Sequence, residues 1–179
     1  MNIILIGFMG SGKTTIARMI CKKYGMRFVD TDKLIEKMEH LTVKEIFDKK
    51  GENYFRELER QVIDSELMFC EGCVIATGGG MPCFFDNLEK LKSLGCVIFL
   101  NAPFNVIVER IKDSDKRPLF GEINEVEKLY DKRRKCYKKA HFTVSVGESK
   151  EEVLLKIEKL IFKGNHENIY KRFGERYKG

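Results

Sequence analysis

Gly7, Gly12, Lys13 and Thr14 stand at the spacing G-x-x-x-x-G-K-[ST] in the stretch Gly7-Phe8-Met9-Gly10-Ser11-Gly12-Lys13-Thr14. Those residue types at that spacing hold phosphate. Glycines let the backbone curl so that successive N–H groups converge on an oxyanion. The lysine brings a point charge to β- and γ-phosphates, and the threonine hydroxyl can reach Mg²⁺. A helix opening at the same place adds unpaired N–H groups and the positive end of its dipole. The motif alone leaves the phosphate's destination open among a nucleotide switch, a motor and a small-molecule kinase.

Four further groups bear on that choice. In Asp30-Thr31-Asp32, one acid can serve Mg²⁺ through water while the other faces a hydroxyl; a helix N-cap with a solvated neighbour is the plainer reading. In Phe55-Arg56-Glu57-Leu58-Glu59, Arg56 and Glu59 share a helix face, so Glu59 can orient Arg56 or simply form a surface pair. Thr77-Gly78-Gly79-Gly80 is a plain turn or a stretch of bare backbone that a ligand can approach closely. Lys116-Arg117-Pro118-Leu119 lies in a polar loop before the helix carrying Arg133, and a charged surface loop is its plainer reading.

The elements that must position these residues alternate along the chain. Apolar runs at 2–6, 27–30, 73–77, 96–100 and 142–146 read as strands. Val74-Ile75-Ala76 and Val97-Ile98-Phe99-Leu100 are continuous, as in strands buried on both faces. Helical patterns cover 13–24, 32–38, 43–49, 52–69, 84–93, 104–112, 124–139 and 149–163. Ser149 and Glu152 have the spacing of a capping box, and Gly25, Gly95 and Gly164 sit where helices stop. Strand–helix alternation predicts an α/β three-layer sandwich, a five-stranded parallel sheet flanked by helices, with ligands at the carboxyl ends of the strands. The loop, Asp30-Thr31-Asp32 and the three glycines all fall at such ends.

A chain of 179 residues suits one such domain. No apolar run reaches membrane-spanning length, and the N-terminus lacks the basic start of a signal peptide. The expected compartment is the cytoplasm, where the six cysteines stay reduced. Cys70-Glu71-Gly72-Cys73 has metal-knuckle spacing, but no second pair or nearby histidine completes it. The net charge of +6 suits anionic ligands, nucleic acid among them. However, the chain has no aromatic-interleaved basic face of the kind single-strand binders use.

Taken together, the loop, Asp30-x-Asp32, Phe55-Arg56-x-x-Glu59, Gly78-Gly79-Gly80, Arg117-Pro118-Leu119 and Arg133-x-x-x-Tyr137 resemble shikimate kinase in order and spacing, from Asn2 to about Leu160. The resemblance implies a P-loop kinase that uses ATP and Mg²⁺ to phosphorylate a hydroxyl of shikimate, in aromatic amino acid biosynthesis. It implies nucleotide contacts at Gly10, Ser11, Gly12, Lys13, Thr14 and Thr15, with Arg110 near the adenine and Arg117 closing on the phosphates. Thr14 and Asp30 would surround the metal. Asp32 would bond the reacting hydroxyl and act as base, with Lys13 and Arg117 as the other catalytic groups. Arg56 and Arg133 would clamp the acceptor's carboxylate beside Gly78, Gly79 and Gly80, and Phe47 and Phe55 would pack on its ring. A lid at about 112–123, a kinase domain over 1–163 and a basic, aromatic extension at 164–179 complete the implied organisation. The expected partner is a small molecule, shikimate, with no nucleic acid and no membrane, and the expected state is a monomer. One departure stands out: Lys135 replaces the proline usual two residues before the tyrosine of the Arg133 motif.

Gluconate kinase and nucleoside monophosphate kinases are the nearest rivals. Asp30-x-Asp32, the three glycines and the isolated Arg56 favour a small hydroxy acid over a nucleotide. A binding-only P-loop domain needs neither Asp32 nor Arg117.

Overall fold

The computed structural model describes residues 1–112, 123–147 and 149–161. Arg117 with the rest of the lid at 113–122, and the extension at 164–179, lie outside the described residues.

Five apolar runs form one sheet: β1 (Asn2–Ile6), β2 (Arg27–Asp30), β3 (Cys73–Ala76), β4 (Gly95–Asn101) and β5 (Phe142–Ser145). All pairings are parallel, in the order β2-β3-β1-β4-β5. Ile4 of β1 lies between Ile75 of β3 and Val97 of β4, and all three are fully buried. Such unbroken β-branched runs have no polar face to offer water, so they fit only strands covered on both sides. The edge strands β2 and β5 are partly exposed and mix polar with apolar residues.

Parallel neighbours need crossovers rather than tight turns, and helices supply them. They are α1 (Lys13–Tyr24), α2 (Thr31–Glu39), α3 (Val43–Ser65), α4 (Asn87–Leu94), α5 (Phe104–Lys112), α6 (Ile123–Tyr137) and α7 (Lys150–Ile161). The expected strands match within a residue or two, and the α/β sandwich is as read. The helices differ in instructive ways. The segments expected at 43–49 and 52–69 are two helical stretches, as read: α3 is broken at Gly51, whose φ 81° and ψ 172° are not helical, and only its far end differs, closing at Ser65 before a 3-10 turn at Leu67–Phe69. Thr42 and Glu45 start it with a capping box. The helix expected from 84 begins at Asn87, because Met81–Cys83 forms a separate 3-10 turn and Phe85 takes a left-handed φ of 51°. The Ser149–Glu152 box is present, with both reciprocal bonds at 3.2 Å.

Winding reverses at the middle of the sheet. The chain leaves β1, passes over β3 to β2, returns to β3, then crosses β1 to reach β4. Ligands in open parallel sheets bind where the winding reverses. At that crevice the carboxyl ends of β1, β2 and β3 present Gly7–Thr14, Asp30–Asp32 and Thr77–Gly80. Among the described residues, no helix is long and apolar enough to cross a membrane.

Candidate active site

The loop after β1 is shaped for an anion. Gly7, Gly10 and Gly12 all have positive φ (147°, 74° and 94°), which folds the chain back over the start of α1. Gly12 is the N-cap of α1, offers no side-chain cap bond, and is followed by no acid in the first turn. The first N–H groups of that helix therefore await an external acceptor. Lys13 Nζ donates to the carbonyls of Gly7 (2.8 Å) and Phe8 (2.9 Å), which holds the ammonium over the loop. Ser11 is buried and its hydroxyl has no partner among the described residues. Thr15 is exposed on α1. From α5, Arg110 leans over the loop and donates to the Gly10 carbonyl at 3.1 Å.

The two acids after β2 divide their work by oxygen atom. Asp30 caps α2 through Oδ1, which accepts from Asp32 N (3.1 Å) and Lys33 N (3.4 Å). Its Oδ2 accepts from the Thr14 hydroxyl at 3.4 Å. The plain N-cap reading thus holds for Asp30, and its second oxygen lies beside the Thr14 hydroxyl. Asp32 turns toward the three glycines: a Cβ on Gly78 would lie 2.5 Å from its Oδ1 and 3.0 Å from Glu59 Oε1. Only glycine lets both carboxylates come this close to the backbone.

Arg56 and Glu59 are no surface pair. Arg56 is 5% exposed and Glu59 is fully buried, with Nη1 and Oε2 at 2.7 Å. Glu52, one turn earlier on α3, takes Nη2 at 2.6 Å. The guanidinium lies over the rings of Phe84 (4.2 Å to the centroid), Phe55 (5.5 Å) and Phe47 (5.7 Å). Phe47 and Phe55 pack on each other at 4.7 Å, and Phe55 is largely buried. A Cβ on Gly80 would overlap the guanidinium itself. Glu59 Oε1 is buried without a hydrogen-bond partner among the described residues. Burial pushes the Glu59 carboxyl up to about 7, although Arg56 pulls the other way and Asp32 adds to the rise.

Arg133 approaches from α6. It is 9% exposed, and its guanidinium makes no salt bridge or hydrogen bond among the described residues. It lies 5.7 Å from the Phe8 centroid, and its Nη1 is 3.7 Å from where a Cβ on Gly79 would stand. A charge this buried is costly unless an anion joins it. One turn on, Tyr137 is fully buried and its hydroxyl donates to the Gly79 carbonyl at 2.5 Å. Asp32, Arg56, Glu59 and Arg133 therefore converge on one glycine stretch beside a phosphate loop.

That convergence agrees with what the comparisons find. Residues 9–162 match the family model described as shikimate kinase. The chain belongs to the shikimate kinase family. The shikimate kinase of Sulfurihydrogenibium sp. (strain YO3AOP1) is 39% identical over 164 residues, covering 88% of this chain and 98% of that one. The crystal structure of shikimate kinase from Aquifex aeolicus superposes with a TM-score of 0.78 at 40% identity, over 92% of this chain and 98% of that one. Shikimate kinase from Acinetobacter baumannii in complex with shikimate gives 0.83 at 35% identity, over 92% and 94%.

As a shikimate kinase, the chain is an ATP-dependent phosphotransferase that works with Mg²⁺, and its donor set suits that ion. No three His, Cys, Asp or Glu side chains gather into a metal cage among the described residues. Mg²⁺ is usually held by one or two protein oxygens together with phosphates and water. Thr14 Oγ1 and Asp30 Oδ2, side by side at the loop, fit that role.

Three contributors at the site are missing from the expected contact residues: Phe84 and Glu52 beside Arg56, and Thr31, whose hydroxyl accepts from Gly78 N at 2.8 Å. Glu52 was open to detection, since it lies four residues before Arg56 on one helix. Phe84 and Thr31 act across elements, which no local spacing signals. A cavity of about 280 Å³, lined by Asn101, Pro103, Tyr130, Arg134 and 145–147, opens at the ends of β4 and β5. It includes none of the residues that converge on the glycines.

Proposed function

We propose that this chain transfers the γ-phosphoryl group of ATP to a hydroxyl of shikimate, giving shikimate 3-phosphate and ADP, with the residue roles set out below. The observation that carries this reading is the buried Arg133 guanidinium, which makes no salt bridge among the described residues and stands beside Gly79, next to the glycine that Asp32 faces. A site that offers a cation for a carboxylate on one side and a carboxylate for a hydroxyl on the other suits a hydroxy acid.

Phosphoryl transfer asks mainly for positioning and charge neutralisation. The N–H groups at the start of α1 and Lys13 hold the β- and γ-phosphates. Gly10, Ser11, Gly12, Thr14 and Thr15 complete the cradle, and Arg110 flanks the base. Mg²⁺ beside Thr14 and Asp30 would neutralise charge between the two phosphates. Arg133 and Arg56 grip the acceptor's carboxylate, each charge-assisted bond being worth about 1.5–3 kcal/mol. The N–H groups of Gly79 and Gly80 lie alongside. Phe47 and Phe55 serve the acceptor's ring mainly by supporting Arg56 from beneath. Asp32 orients the reacting hydroxyl and takes its proton. Arg117, brought in by the lid, adds positive charge to the phosphates and excludes water.

This reading also carries a monomer working in the cytoplasm, with residues 164–179 outside the chemistry. One coupled assay tests it. ADP release should depend on shikimate and stay at background with gluconate or a nucleoside monophosphate. Equal release with gluconate would overturn the assignment of the acceptor.

A further inference from the structure

The backbone of the three glycines can be accounted for bond by bond. Thr77 is the last residue to pair toward β1, its N–H and hydroxyl both reaching the Leu5 carbonyl (3.2 and 3.3 Å). Gly78 N–H then turns the other way, to the Thr31 hydroxyl at 2.8 Å. The Gly78 carbonyl accepts from Met81 N (3.3 Å), and the Gly80 carbonyl from Cys83 N (2.8 Å). The Gly79 carbonyl accepts from the Tyr137 hydroxyl. Among the described residues, the Gly79 and Gly80 N–H groups have no partner. Gly80 is buried and Gly79 half-buried, and buried backbone donors are rarely left so.

The two side chains that pin this stretch come from opposite walls of the site. Thr31 lies between Asp30 and Asp32, where β2 ends. Tyr137 is on α6, one turn beyond Arg133, with its ring 5.1 Å from Phe99 of β4. Both are fully buried, so neither can touch a ligand. Each can act only through the glycine it holds. Thr31 extends the β2–β3 ladder past its last backbone pair, Asp30 with Ala76. It thereby fixes Gly78 against Asp32. Tyr137 fixes Gly79 against the helix that carries Arg133.

We propose that Thr31 and Tyr137 are positioning residues for the acceptor: by suspending the Gly78–Gly79 segment between β2 and α6, they set the distance from the hydroxyl-facing Asp32 to the carboxylate-facing Arg133 and the free glycine N–H groups. The proposal rests on the acceptor site described above. It separates two functions of one short segment. The Gly79 carbonyl and the Gly78 N–H tie the walls together, and the Gly79 and Gly80 N–H groups recognise the ligand.

The test uses Thr31→Val and Tyr137→Phe in the full chain. Each replacement keeps the side chain's shape and removes only the hydroxyl. The KM for shikimate should rise about fivefold to twentyfold in each, the order expected when a single buried hydrogen bond is removed. The KM for ATP should stay within about twofold of wild type. Thr31→Ser, which restores a hydroxyl, should return the shikimate KM toward wild type. If both variants melt earlier yet keep the wild-type KM for shikimate, the bonds only stabilise the fold and the proposal is wrong. A parallel rise in both KM values would also overturn it, because the phosphate loop would then be disturbed as well. Failure of the underlying site would look different: wild-type protein would release no ADP with shikimate, or Arg133→Ala would bind shikimate normally.

Discussion

Arg56 and Glu59 meet at 2.7 Å inside the protein, one turn apart on α3, with the other carboxylate oxygen of Glu59 left without a hydrogen-bond partner among the described residues. The pair is neither a surface contact nor a balanced ion pair. Burial penalises the charged carboxylate enough to raise it to about 7 despite the adjacent guanidinium. The folded chain therefore keeps the Glu59 proton up to about pH 7, whereas an unfolded chain releases it near the ordinary value of 4.5. By linkage, this stabilisation is fully present below 4.5 and lost as pH rises through about 7. The whole effect is on the order of 3 kcal/mol. Urea unfolding across that window should show wild type losing stability as pH rises, with Glu59→Gln losing less. Identical slopes for the two proteins would show that Glu59 is charged throughout.

The two arginines should separate by what else each one does. Arg56 is bonded to Glu59 and Glu52, whereas Arg133 makes no salt bridge among the described residues. Replacing either with alanine should weaken shikimate binding about tenfold to a hundredfold, with ATP binding little changed. Only Arg56→Ala should also cost about 1–3 kcal/mol of stability, since it leaves the buried Glu59 carboxyl without its hydrogen-bond partner. Calorimetric titration together with thermal melts checks both halves. If Arg133→Ala bound shikimate like wild type, the carboxylate would have to lie elsewhere.

Much of this site could be read from residue order alone, and what escaped has a common cause. The phosphate loop was legible because its chemistry is local: eight consecutive residues between a strand and a helix. The buried strands were legible because runs such as Val97-Ile98-Phe99-Leu100 leave no polar face. Arg56 and Glu59 were legible as a pair but not as a buried one, because the same spacing serves helix surfaces equally well. The glycine stretch invited a ligand-contact reading, yet Gly78 and Gly80 are required first by the protein's own Asp32 and Arg56. Tyr137 and Gly79 are 58 residues apart, and no local pattern announces a bond of that reach.

Asp32 is expected to act on the acceptor and not on the nucleotide. It faces Gly78 and Glu59, while Asp30 takes the bond from Thr14. Asp32→Asn keeps the size of the side chain but cannot accept the proton. Turnover should fall about 10²–10⁴-fold, the usual contribution of a positioned base. Affinity for ATP, measured by fluorescent nucleotide displacement, should be unchanged. Turnover near the wild-type rate would remove Asp32 from the proton transfer.

Alanine at neighbouring glycines should produce opposite kinetic signatures. A Cβ on Gly78 would meet Asp32 Oδ1 at 2.5 Å and Glu59 Oε1 at 3.0 Å, so the acceptor acid must move. A shift of about 1 Å in a catalytic group can cost about a hundredfold in rate. Gly78→Ala should therefore lower kcat strongly. A Cβ on Gly79 meets nothing closer than Met9 N at 3.5 Å and Gly7 O at 3.6 Å, both ordinary contacts. The protein can accept it without rearranging. The new methyl nevertheless stands 3.7 Å from Arg133 Nη1, in the space the substrate carboxylate needs. Gly79→Ala should raise the KM for shikimate with a much smaller change in kcat. Steady-state kinetics on the two variants decide the matter. If Gly79→Ala lost rate and kept its KM, Gly79 would belong with the reacting hydroxyl and not with the carboxylate.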